Sequence, residues 1–188
     1  DSAGNGSVMR CWPVALAHWE NLDALLVDSR LQGQVTHPHA DCVAGSAFVN
    51  VVIYHVLHGV EPAEAVARAV PAAQIAKPLR AAIEAAPGRS REELVNSGWV
   101  RHTLESAVWG LLTTNSLEQA VVQVVNLGND ADTAGAVVGA LAGAAYGVEA
   151  IPERWRQVLR GEWPLGRGRM WRVDDLSALA DRLVATSR

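Results

Sequence analysis

From Thr133 to Tyr146 the chain carries no charge and is built almost wholly of alanine, glycine and valine. Such a run has no polar face to give to water, so as a helix it must be enclosed by other elements. Gly135, Gly139 and Gly143 recur every four residues, which places them on one helix face and permits close backbone approach there. The run therefore demands helices packed tightly around it. A membrane span is the competing reading, because Ala131 to Val148 covers 18 residues with Asp132 as the single charge. Small side chains transfer weakly into lipid and the charge opposes insertion, so a buried helix is the expectation and no membrane partner is implied.

Helical periodicity continues through most of the chain. Met9 to Trp19 reads as a first helix, with Trp12, Ala15, Leu16 and Trp19 on one face. Leu22 to Leu31 and Asp41 to Leu57 read as the next two, the latter stopped by His58-Gly59. Glu61-Pro62 opens another, and Ala72 to Ala85 follows, interrupted by Pro78. Ser90-Arg91-Glu92-Glu93 is a capping-box pattern for a short helix. Thr103 to Thr114, Leu117 to Val125, Asp130 to Tyr146, a helix opened by Pro152, and Val173 to Val184 complete the series. Only Arg169 to Val173 suggests an extended piece. The expected fold class is all-α, one compact domain of about ten helices.

A chain of 188 residues, 49% hydrophobic and 19% charged, is long enough for one buried core and too apolar for disorder. Its net charge of −4 shows no basic face, so no nucleic-acid partner is expected. Two cysteines, Cys11 and Cys42, give neither a disulfide framework nor metal-ligand spacing. Together with the absence of a basic, apolar leader in Asp1-Ser2-Ala3-Gly4-Asn5, that points to a cytoplasmic location.

The chemistry is concentrated just before the small-residue helix, in Gly128-Asn129-Asp130-Ala131-Asp132-Thr133. Asp130, Asp132 and Thr133 offer hard oxygen donors from one turn, which suits Mg²⁺ or Mn²⁺ rather than zinc. The same residues also suit plain helix capping. A calcium loop starting at Asp130 fails on Ala134 at its fifth position and Leu141 at its twelfth. Three donors leave six-coordination incomplete, so further ligands must come from elsewhere. Gly4-Asn5-Gly6-Ser7, with a helix behind it, fits either an anion-binding turn or an ordinary one. His37 and His39 flank Pro38 without a third ligand at zinc spacing, so they read as a polar helix entrance. His18, His55, His58 and His102 read as core-edge or surface residues. Among the seven tryptophans, Trp12, Trp19, Trp109 and Trp155 read as core, and Trp99, beside Ser97-Gly98, as a pocket-lining candidate.

In combination these segments resemble the ADP-ribosylglycohydrolase family, the group that includes dinitrogenase reductase-activating glycohydrolase. The resemblance runs through Gly4-Asn5-Gly6-Ser7-Val8-Met9-Arg10, Thr36-His37, and Ser97-Gly98-Trp99-Val100 leading to Thr103-Leu104-Glu105-Ser106-Ala107-Val108-Trp109. It is strongest in Val125 to Ala136 and the helix that follows, and ends at Ile151-Pro152-Glu153-Arg154-Trp155. It implies an all-helical hydrolase with a two-ion magnesium site that cleaves the bond at the anomeric carbon of ADP-ribose, releasing it from a modified side chain such as arginine. By resemblance, Asp130, Asp132 and Thr133 are metal ligands. Ser2, Gly4, Asn5 and Gly6, with Ser7 beside them, face the diphosphate, and His37 holds phosphate or ribose. No catalytic base is identified.

Two departures from the family pattern stand out. Asn129 occupies a position where the family carries a second glycine. The family's other metal ligands, a Thr-Asp-Asp cluster in its N-terminal portion, have no counterpart; Asp174-Asp175 follows Val173 and opens a late helix. Residues 1–188 are therefore expected to be the C-terminal portion of such a domain, with N-terminal helices missing. Two readings follow: a magnesium-dependent ADP-ribosyl hydrolase, or a non-catalytic ADP-ribose or nucleotide binder lacking half the metal site. Pairing with an N-terminal half, or self-association through the uncovered face, is a further expectation.

Overall fold

A computed structural model of the chain describes residues 3–187, most of which lie in helices. Its α-helices are α1 (Pro13–Ala17), α2 (Leu22–Gln34), α3 (Ala40–Leu57), α4 (Pro62–Ala72), α5 (Lys77–Ala85), α6 (Val100–Thr113), α7 (Leu117–Val125), α8 (Ala131–Tyr146), α9 (Glu153–Arg156) and α10 (Val173–Val184). Local chemistry sets several starts. The Asn21 side chain accepts from the Ala24 N–H to open α2, and the Ser116 hydroxyl accepts from the Gln119 N–H to open α7.

The core lies between α3, α6 and α8, with α2, α4 and α7 packed around them. Phe48 and Val52 of α3, Leu104 and Leu111 of α6, and Leu141 of α8 are buried there. By length and composition α3 could cross a membrane, yet most of it is buried inside this domain. The small-residue helix α8 is enclosed as its sequence demands, with Ala134, Val137, Val138, Leu141 and Ala142 buried. Its glycine stripe behaves unevenly. A Cβ at Gly135 would lie 2.9 Å from Val125 Cγ2 on α7, whereas one at Gly143 would meet nothing within 4 Å. Close approach thus uses Gly135, and a second contact is made by Gly110 of α6, whose Cβ would fall 2.5 Å from Val124 Cγ2.

Three sequence expectations are corrected. Met9 to Trp19 is not one helix: residues Asn5–Arg10 form a 3-10 turn, and α1 begins only at Pro13, whose ring removes the N–H a continuous helix would need. Pro78 opens α5 rather than interrupting a longer helix, because Gln74 takes φ +57° and ends the preceding segment. The capping box at Ser90 closes through a 2.8 Å bond from its N–H to the Glu93 carboxylate, but the element it caps is a single 3-10 turn, Arg91–Glu93. The extended piece near Arg169 is present as β2 (Arg169–Trp171), paired antiparallel with β1 (Gly161–Trp163). Trp109 is buried and donates its indole N–H to the Arg89 carbonyl at 3.2 Å. Trp19 instead stacks on His58 with centroids 5.7 Å apart.

Candidate functional site

The start of α8 meets the start of the chain through one side chain. Asn5 donates its amide to Asp130 Oδ2 at 2.6 Å and to Thr103 Oγ1 at 2.8 Å, with the Ser97 carbonyl at 3.2 Å sharing the same group. An amide nitrogen has two hydrogens, so the two shorter contacts are the principal bonds. Asn5 is itself buried. Its backbone N–H donates to the Gly98 carbonyl at 3.0 Å, and the Val100 N–H donates to the Ala3 carbonyl at 2.9 Å. Gly4 and Trp99 form the antiparallel bridge between these strands of chain. The glycine turn, the entrance to α6 and the entrance to α8 are thereby fastened together at one place.

Asp130 occupies the N-cap position of α8, yet its side chain makes no capping bond. That separates the two readings of the tetrapeptide in part: the carboxylate accepts from the Asn5 amide and caps no backbone N–H of its own helix. The Asn5 amide holds the Asp130 carboxyl below the usual carboxylate range; partial burial opposes this, and Thr133 and Asp132 add to it. Asp132 is exposed, and Thr133 is buried with its hydroxyl 3.8 Å from Met9 Sδ. The three oxygen donors therefore stand on one turn, with Asp132 open to solvent, and their chemistry fits a hard divalent cation. They form a partial set: no group of three or more His, Cys, Asp or Glu side chains suited to a metal occurs among the described residues.

His37 lies across the glycine turn. A Cβ at Gly6 would fall 2.7 Å from its Cε1, and one at Gly4 would fall 3.3 Å from its Nε2. Gly6 is required by the imidazole packed on it, and Gly4 leaves that ring little room to spare, a cause not visible in the sequence. His37 Nδ1 is 2.8 Å from Thr36 Oγ1, which also accepts from the Arg10 guanidinium, so the Nε2 edge is the one turned to the turn. His39 is employed separately, accepting from the Asp41 N–H at 3.2 Å to cap α3.

Two residues expected to face a diphosphate are committed inside the protein. Asn5 has both its amide and its N–H bonded internally, as above, and so acts as a tie. Ser7 is buried and donates its hydroxyl to the Cys42 carbonyl at 3.3 Å. Ser2 lies outside the described residues. Trp99 is 40% exposed beside the turn. Three participants were not singled out in sequence: Thr103 and Ser97, which bond Asn5, and His102, whose Nδ1 is 2.8 Å from Ser97 Oγ. Thr103 and Ser97 sit in a recognisable segment, but nothing in their spacing reveals a partner almost a hundred positions earlier.

Asn129 has φ +52°, directly after Gly128 at +78°. Asparagine is the ordinary residue that tolerates this left-handed conformation best, so the turn keeps the shape that glycine would give it. Replacing Asn129 with Ala should cost about 1 kcal/mol of stability, and with Gly well under that. Urea denaturation of both variants checks the difference.

The ADP-ribosylglycohydrolase family model matches residues 1–188. An ADP-ribosylarginine hydrolase, Tri1, of Pseudomonas putida (strain GB-1) is 34% identical over 156 residues, covering 82% of this chain and 41% of its own length. The ADP-ribosyl-[dinitrogen reductase] glycohydrolase of Rhodospirillum rubrum is 31% identical over 183 residues, covering 95% of this chain and 57% of that protein. A solved structure described as an ADP-ribosylglycohydrolase-related protein complex superposes with a TM-score of 0.79 at 30% identity, over 100% of this chain and 62% of the other. The chain thus spans about half the length of the relatives it matches. Agreement of the family model over every residue with a shared fold allows one conclusion: the chain belongs to the ADP-ribosylglycohydrolase family.

Proposed function

We propose that this chain carries the ADP-ribose-binding side of a magnesium-dependent hydrolase that removes ADP-ribose from a modified protein side chain, arginine or a related acceptor. The observation that carries the reading is the junction of the glycine turn with the acidic turn, made by the 2.6 Å bond from Asn5 to Asp130. It brings an anion-compatible turn and a cation-compatible turn to one place, as a ligand joining a diphosphate to a ribose requires.

Asp130, Asp132 and Thr133 are the residues that would hold magnesium, or manganese in its stead. Magnesium bound there would supply positive charge near the leaving group and would make water a better nucleophile. The chain's own residues do the rest. Asn5 keeps the Asp130 carboxylate ionised and aimed. Gly4 and Gly6 make room for the His37 ring on the turn, and that imidazole is the group that would meet phosphate oxygens beside it. Trp99 presents exposed ring surface on which a planar base can stack. In the reaction, the bond from the anomeric carbon to the acceptor breaks, water supplies the new hydroxyl on that carbon, and the acceptor leaves with a proton.

The polypeptide of the complete reading frame, given arginine-ADP-ribosylated protein and millimolar Mg²⁺, should release free ADP-ribose, and EDTA should stop it. Substrate left intact under those conditions would sink the hydrolase reading. A second reading is favoured by the partial donor set: on its own, this chain is a binder of ADP-ribose that does not turn it over. Binding of equal strength in Mg²⁺ and EDTA, with no release, distinguishes it.

A further inference from the structure

We infer that His102 is a positioning residue for this site, holding the Trp99 ring at the angle in which it receives the base of the ligand. The inference rests on the reading of Trp99 as a ligand surface. Trp99 immediately precedes α6 and is 40% exposed, so its side chain needs outside help to keep one orientation. That help comes from within one turn. The His102 ring meets the Trp99 ring at 66°, with centroids 4.8 Å apart, the T-shaped arrangement that aromatic quadrupoles favour. The Arg101 guanidinium lies over the same indole, 5.3 Å from its centroid.

His102 is fixed in its turn by Ser97. Ser97 Oγ lies 2.8 Å from His102 Nδ1 and also accepts the Trp99 N–H at 3.2 Å. The Ser97 carbonyl shares the Asn5 amide that holds Asp130. One connected set of contacts therefore runs from the Asp130 carboxylate through Asn5 and Ser97 to His102 and the Trp99 ring. It sets the distance between the end of the site that takes charge and the end that takes a flat ring. A histidine suits the link because it supplies a ring for Trp99 and a nitrogen for Ser97 at once.

The test uses the full 188-residue chain, AMP and ribose 5-phosphate as probes, and 5-fluorotryptophan labelling, with the Trp99 line assigned by its loss in Trp99→Phe. In His102→Ala, AMP affinity should fall about five- to tenfold while ribose 5-phosphate affinity is unchanged, since only AMP carries the base. The Trp99 fluorine line should shift or broaden, with the other six tryptophan lines in place. His102→Phe, which keeps a ring, should bring AMP affinity back to within about threefold. An unmoved Trp99 line, or equal weakening of both probes, would overturn the proposal; equal weakening is what a merely structural role in the turn produces. If the unaltered chain bound neither probe, the ADP-ribose reading and the ligand half of this proposal would both fall. The fluorine line would still decide whether His102 places Trp99.

Discussion

Replacing Asn5 with Ala should lower stability by about 2–3 kcal/mol and weaken ADP-ribose binding more than tenfold, because one truncation removes the amide bonded to Asp130 and Thr103 and shared with the Ser97 carbonyl. The bond to a carboxylate is the stronger kind, and its loss leaves Thr103, which is buried, without its shortest partner. Thr103→Val is the informative control. It removes one acceptor of the Asn5 amide but keeps the tie to Asp130, so about 1 kcal/mol is expected. Asn5→Asp should be at least as harmful as Asn5→Ala, since it sets a second carboxylate against Asp130. Denaturant midpoints and calorimetry on the same three proteins separate folding from binding. If Asn5→Ala bound ADP-ribose like the parent chain, the junction between the two turns would have no functional meaning.

The second large effect concerns the frame that carries those turns. Phe48 is the single phenylalanine of the chain, fully buried near the middle of α3. Phe48→Ala should cost about 3–5 kcal/mol, the lost transfer of the ring plus the cavity left behind. A domain of this size has about 5–15 kcal/mol in total, so a markedly lower melting temperature is expected. The glycine turn and α8 both pack on α3, so ligand affinity should fall with stability in this variant. A loss below about 1 kcal/mol would mean that α3 is not the centre of the core.

Much of this organisation is legible in the sequence, for identifiable reasons. The α8 run is visible because a charge-free series of small residues has few ways to fold, and Asp130 is visible because acids at a helix entrance are chemically conspicuous. Elements set by local rules also read correctly, as where Glu61-Pro62 opens α4. What sequence could not show is contact at a distance. Nothing near Asn5 announces that its amide reaches a carboxylate 125 positions later. The glycines at 4 and 6 fit either an anion-binding turn or an ordinary one, and the group nearest to them is the His37 ring. His102 looked like an edge residue because its role depends on the bend that brings Ser97 back towards it. The strand β1 lacked a signal of its own, since a three-residue strand is too short to display alternation.

Asn129 shows how a residue other than glycine can hold a left-handed turn. The side chain differs from glycine, but the backbone angle is one that asparagine accepts. Among the described residues no group of three or more His, Cys, Asp or Glu side chains suited to a metal occurs beside this turn or elsewhere.

Calorimetric titration of ADP-ribose into the 188-residue chain, in millimolar Mg²⁺ and again in EDTA, is the most direct measurement of all. Binding at one site per chain, tightened about tenfold or more by Mg²⁺ and lost in Asn5→Ala, is the expected result. No binding at millimolar ADP-ribose in either condition would contradict the assignment of the Asn5–Asp130 junction as an ADP-ribose site.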